Sequence, residues 1–231
     1  MKRINDTKSN GRDNSEDMKR VGIHVFNEVN FIPLCDKLAL VDPHLKNIID
    51  SFGHPPLWKR KPNFETLVHI ILEQQVSLAS AKAALNKLKE KIGSVTAANL
   101  LSLTDAELKA CYFSRQKTGY ARSLAQAISS KQLHLKTLAV CPDEEVRAVL
   151  KKIKGIGDWT VDVFLMMGLR RTDLFPLGDI ALVNSLKEVK GLPKTASREE
   201  LQLVAAQWKP YRTVAAFLLW HSYLCKRNRK Y

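Results

Sequence analysis

An all-α fold is predicted by three features of the sequence. Apolar residues recur at helical spacing from residue 43 onward, helix-start signatures interrupt them at short intervals, and a single segment shows strand-like alternation. That segment is Val21 to Phe26 (VGIHVF), and one strand cannot form a sheet by itself. With 231 residues, 45% of them hydrophobic, the chain can bury a sizeable core as one large domain or two small lobes. The polar stretch 1–18 is expected to be a disordered tail, leaving 19–231 as the folded domain.

The elements follow from local chemistry. Asp42-Pro43 supplies an N-cap and a first-turn proline, and Gly53, Pro55 and Pro56 end that helix. Asn63 opens a second helix running toward Gln74, and Ser77 caps a third that Gly93 closes after Ile92. Thr104 with Glu107 and Ser197 with Glu200 both match the capping box, in which each side chain satisfies the other's backbone N–H. Further helices are expected at 115–130, 143–153, 158–169, 180–189, 198–208 and 211–225. No internal repeat is evident.

Charge and composition narrow the function classes. Lys and Arg outnumber Asp and Glu by 37 to 23, a net charge of +14 that favours a polyanionic partner. No run of about 18 apolar residues is present. The polar N-terminus lacks the apolar stretch of a secretory signal, so an intracellular protein is expected, in bacterial cytoplasm and nucleoid or in a nucleus. Cys35, Cys111, Cys141 and Cys225 form no C-x-x-C pair, and the six histidines form no metal-binding pair. Neither a side-chain metal site nor any cofactor is expected.

Val146, Val149, Leu150 and Ile153 make one apolar stripe, followed by Gly155-Ile156-Gly157 and a second helix with Val161, Phe164 and Leu165 on its apolar face. The predicted hairpin spans 143–169. Its glycines remove bulk where a phosphate can approach, its N–H groups point outward at the positive end of the helix dipole, and Lys151, Lys152 and Lys154 add attraction. Binding of duplex DNA without sequence reading is the expected result.

The run LKKIKGIGDWTVDVFLM followed by FPLGDIALVNSL closely resembles the helix-hairpin-helix, Gly/Pro-rich loop and aspartate signature of the helix-hairpin-helix DNA glycosylases, and within them the type that removes 3-methyladenine. LVHIILEQQVSLASAKAAL and WKPYRTVAAFLLWHSYL extend the likeness over about residues 40 to 225. The resemblance implies a two-lobed helical fold, without the N-terminal β-domain of a bacterial relative, and a monomer acting on double-stranded DNA with alkylated bases. It maps the catalytic carboxylate onto Asp179, aromatic pocket positions onto Trp159 and Trp220, and the side chain that fills the hole left by a flipped base onto Gln75. Lys154, Gly155, Ile156, Gly157 and Thr160 complete the expected DNA-binding set, with the hairpin backbone carbonyls as the place for a monovalent cation. Tyr211 and Tyr223 are further pocket candidates, and Arg115 and Lys117 further phosphate contacts.

Asp179, preceding Ile180 to Val183, also reads as an ordinary helix N-cap, and the two roles are compatible. An alkylated purine is already cationic and departs readily, whereas the sugar gains positive charge that a carboxylate stabilises. Lyase-capable relatives carry a lysine where Trp159 stands, so hydrolysis without strand cleavage is expected. The family's bacterial members have a tyrosine where this chain has Val163, which makes the range of bases a point of difference. A glycosylase for another damaged base, or a non-catalytic hairpin protein that only holds phosphates, remain the competing readings.

Overall fold

The computed structural model describes residues 24–228. The expected tail, and Val21 to Ile23 of the strand-like segment, lie outside the described residues. His24 to Phe26 pair across the chain rather than with a second hairpin strand. Val25 forms an antiparallel bridge with Arg171, the Phe26 N–H donates to the Arg170 carbonyl at 3.0 Å, and the Thr172 N–H donates to the His24 carbonyl at 3.1 Å.

Twelve α-helices make up the described fold. They are α1 (Phe31–Val41), α2 (Pro43–Phe52), α3 (Phe64–Glu73), α4 (Leu78–Ile92), α5 (Ala97–Leu101), α6 (Asp105–Ala110), α7 (Arg115–Ser129), α8 (Asp143–Leu150), α9 (Asp158–Val163), α10 (Ile180–Lys190), α11 (Arg198–Ala206) and α12 (Arg212–Lys226). None is long and apolar enough to cross a membrane.

Helices α3 to α7 pack among themselves as one lobe, while α1, α2, α10, α11 and α12 form the other. The α8–α9 hairpin connects them, with α9 seated on α3. Its second helix does not run uniformly to 169: after Val163 it widens into a π turn, Phe164–Gly168, and the Leu169 N–H reaches back to the Phe164 carbonyl at 3.1 Å. Every residue of that turn is buried, so side-chain packing holds a geometry that backbone preference alone disfavours.

The predicted caps form as expected. Asn63 accepts from the Thr66 N–H at 3.0 Å, Ser77 from Ser80 at 3.1 Å, and both capping boxes close. Helix α1 is the main element the periodicity does not announce. Leu40 and Val41 are exposed apolar residues on it, which blurs its amphipathic stripe, and its N-cap Asn30 makes no side-chain cap bond. Asn27 and Asn30 instead exchange side-chain bonds with each other's backbone N–H groups at 3.0 and 2.7 Å. Helix α5, only five residues long, is likewise too short to carry a period.

Candidate active site and nucleic-acid interface

Asp179 ends a loop that is tied down on both sides. Arg212 grips Asp173 at 2.7 Å, Thr213 accepts from the Leu174 N–H at 3.0 Å, and the Asp179 N–H itself donates to the Pro176 carbonyl at 2.9 Å. The carboxylate then caps α10, with Oδ1 accepting from the Leu182 N–H at 2.8 Å.

Two indoles complete its surroundings. Trp159 Nε1 donates to Oδ2 at 3.0 Å and Trp220 Nε1 donates to Oδ1 at 3.2 Å. Trp159 comes from the first turn of α9, directly after the glycine hairpin, and Trp220 from the middle of α12. The three residues expected from the sequence thus meet at one point, although their bonds span 20 and 41 residues of chain. Trp220 is 8% exposed, Trp159 and Asp179 are half-buried, and Ile180 beside them faces solvent. Val163, one turn along from Trp159, is buried and offers no aromatic surface here.

The hairpin departs from its expected form at one glycine. Gly155 sits at φ 90°, and a Cβ there would lie 2.0 Å from the Tyr120 ring. Its missing side chain therefore makes room for Tyr120, not for a phosphate. Gly157 faces open space, so close backbone approach is left to that position. Lys152 and Lys154 are exposed, whereas Lys151 is engaged, donating to both oxygens of Asp158 at 2.9 Å. Arg147 also donates to Asp158 at 3.0 Å, and the Lys151 and Arg147 hydrogen bonds outweigh a slight burial penalty to lower that carboxyl's pKa. These two cations offset a negative charge that would otherwise repel phosphates at the start of α9.

Thr160 differs from expectation in the direction of its side chain. It is 1% exposed and its hydroxyl accepts from Gln74 Nε2 at 2.9 Å, so its surface toward a ligand is at most backbone. Gln74, which nothing in the sequence singled out, also donates to the Gly155 carbonyl at 2.9 Å. It bolts the hairpin to the turn that carries Gln75. The carbonyls of Ile153 and Gly155 accept the Ile156 N–H at 3.1 Å and Gln74 Nε2 at 2.9 Å.

Gln75 follows α3 in the left-handed region, at φ 57°, with its side chain exposed. It lines, with Ile156 and Gly157 of the hairpin, a cavity of about 590 Å³. Lys117 lines the same cavity but donates inward to the Leu72 carbonyl at 2.6 Å, and burial lowers its pKa, which corrects its expected role as a free phosphate contact. Arg115 is exposed. Tyr211 lies under Lys37 and Tyr223 under Arg227. A separate cavity of about 630 Å³ lies behind the hairpin, where Arg147 pairs with Asp162, Arg171 with Asp143 and Arg212 with Asp173. Burial pushes the Cys35 thiol up to about 12, in keeping with a packing role.

Residues 68–210, more than half of the chain, match the model of the HhH-GPD superfamily of base excision DNA repair proteins. The chain belongs to that superfamily. This member is similar to the alkylbase DNA glycosidase-like protein of Schizosaccharomyces pombe, 32% identical over 84% of this chain and 93% of the relative. It is also similar to DNA-3-methyladenine glycosylase 1 of the same yeast, 31% identical over 79% of this chain and 83% of the relative. The solved structure of the 3-methyladenine DNA glycosylase of S. pombe with abasic DNA superposes with a TM-score of 0.73, at 27% identity, covering 81% of this chain and 95% of that one. The superfamily member described here is a DNA glycosylase.

Proposed function

We propose that this glycosylase excises alkylated purines, of the 3-methyladenine and 7-methylguanine type, from duplex DNA by hydrolysis, with Asp179 as the catalytic carboxylate. The observation that carries the reading is the convergence of the Trp159 and Trp220 N–H groups on Asp179. It joins the aromatic surfaces suited to a cationic base and the carboxylate suited to a cationic sugar in one unit. The relatives' names, alkylbase glycosidase-like protein and DNA-3-methyladenine glycosylase, support the same substrate class.

The damaged nucleotide leaves the stack and enters beside Trp159 and Trp220, whose π faces attract an electron-poor ring by about 0.5–2 kcal/mol. As the C1′–N bond lengthens, positive charge grows on the deoxyribose. Asp179, held by three N–H donors, stabilises that charge and orients the attacking water. The base departs with the bond's electron pair, which neutralises its own positive charge. No lysine occupies the position of Trp159, so no Schiff base forms and the strand stays intact. Gln75 fills the gap left in the duplex, the Gly157 side of the hairpin holds phosphate, and the acting species is a monomer.

The test is release of free 3-methyladenine and 7-methylguanine from methylated duplex by the wild type and by Asp179→Asn, with duplex affinity measured alongside. Release lost with affinity retained is expected. Tight, salt-sensitive binding with no release by the wild type overturns the substrate assignment and leaves another damaged base or simple DNA binding.

A further inference from the structure

The end of α3 is fastened more firmly than a solvent-facing turn requires. Glu73, the last residue of the helix, is buried and takes a two-pronged hold from Arg60, with Nη1 donating to Oε2 at 2.9 Å and Nη2 to Oε1 at 2.5 Å. The Arg60 N–H in turn donates to the Met167 carbonyl inside the π turn at 2.9 Å. Gln74 comes next, and its Nε2 donates to the Gly155 carbonyl and to the Thr160 hydroxyl, each at 2.9 Å. Gln75 follows at once, exposed and at φ 57°. Two consecutive residues thus tie the turn to the two ends of the segment that carries Trp159, the hairpin on one side and the π turn on the other.

The chemistry of the Gln74 bonds fixes which way its amide faces. A carbonyl can only accept, so the NH₂ group, with two hydrogens, must be the end that meets Gly155, and Thr160 takes the second hydrogen. In the chain these acceptors flank Gly157, the hairpin residue that faces open space. Thr160 is 1% exposed, so loss of the donor leaves a polar group without its partner inside the protein. Among the side chains of the turn, Gln74 is therefore the one whose bonds measure the distance from Gln75 to the hairpin.

We infer that Gln74 is a positioning residue for base flipping, whose amide holds Gln75 in fixed register with the hairpin, so that the grip on the DNA backbone and the filling of the gap occur as one rigid step. This inference rests on the reading of Gln75 and the hairpin given above. The left-handed conformation of Gln75 is costly for a residue other than glycine, and an untethered turn would relax out of it. With Gln74 anchored, the turn is ordered when the protein folds instead of when DNA binds, and insertion loses less conformational freedom. Gln74 itself touches neither the base nor the sugar; it acts through Gln75.

The test uses the full chain and the ratio of its affinities for a duplex holding a tetrahydrofuran abasic analogue and for the undamaged duplex. Gln74→Met keeps the side chain's length and removes both donors. It should lower that ratio about tenfold, as for the loss of one or two hydrogen bonds, while affinity for undamaged duplex, which needs a folded hairpin but no insertion, stays at the wild-type level. Gln75→Ala should lower the ratio as well. The double variant should then fall no further than Gln75→Ala alone, because a residue that acts through Gln75 has nothing left to position. A wild-type ratio in Gln74→Met overturns the inference, and so does a second full loss in the double variant, which would make Gln74 a general prop of the fold. If Gln75→Ala alone keeps the wild-type ratio, the reading of Gln75 fails and the inference with it. The abasic duplex requires no base release, so failure of the alkylated-base assignment would appear in the release assay alone.

Discussion

Asp42 and Asp179 are built alike and situated differently. Each is the N-cap of a helix, accepting backbone N–H bonds from the residues that follow, and each takes an indole N–H. Asp42 Oδ2 receives both Trp208 Nε1 and Lys190 Nζ, each at 2.7 Å. It is 5% exposed. Burial works against its charge, but the Lys190 and Trp208 hydrogen bonds outweigh that and hold the carboxyl below its ordinary range. Asp179 takes two indoles, neither of them charged, and stays half-buried beside solvent-facing Ile180. A carboxylate whose charge is already matched by a lysine holds helices together. One oriented by neutral donors keeps its charge available for a cation arriving from outside.

Substitutions should separate these roles. Asp42→Ala leaves Lys190 and the Trp208 N–H without their partner and removes a cap, which is expected to cost about 3–5 kcal/mol in urea unfolding. Base release per folded molecule should be little changed by it. Asp179→Asn should do the reverse, lowering base release about 10²–10³-fold or more while unfolding stays within about 1 kcal/mol of the wild type. If Asp179→Asn proved as destabilising as Asp42→Ala, the carboxylate would be a structural cap and the comparison would collapse. Trp159→Phe and Trp220→Phe each keep an aromatic face but delete one donor to Asp179. A single-turnover rate about tenfold lower is expected for each, as for one hydrogen bond to a charged group. Rates equal to the wild type would mean that the indoles serve the base alone.

The smallest effect is in the acid limb of stability. Because the Asp42 pKa is lowered on folding from an ordinary 3.8, its contribution is complete above that value and is lost as the pH falls through the folded value. The stability gap between wild type and Asp42→Asn should therefore be constant at neutral pH and narrow below about pH 4. A gap that instead narrowed on raising the pH would contradict the Lys190 pairing.

Local signals were legible where their chemistry is local. The capping boxes at Thr104 and Ser197, the Asn63 and Ser77 caps and the Gly93 stop need only neighbouring residues, and they define helix starts and ends in the fold. Helix α1 escaped because exposed Leu40 and Val41 dilute its stripe, and the π turn escaped because only packing against other elements maintains it. In the site, Asp179, Trp159 and Trp220 could be nominated from motifs, but Gln74 could not, since its two acceptors lie 81 and 86 residues away. Thr160 and Lys117 were polar residues in the right segments whose side chains turn inward to satisfy Gln74 and the Leu72 carbonyl.

The sequence by itself determined an all-α chain, its helix starts, the glycine hairpin, the basic balance and the aspartate that caps α10, because periodicity, capping and charge are properties of short stretches. Only the tertiary structure decided which way each polar group faces. It brought two indoles from different helices onto Asp179, set Lys190 on Asp42, and gave Gly155 to Tyr120 and Gly157 to open space. Those outcomes depend on distances between residues far apart in the chain, and packing, which must satisfy every buried donor and acceptor at once, sets those distances.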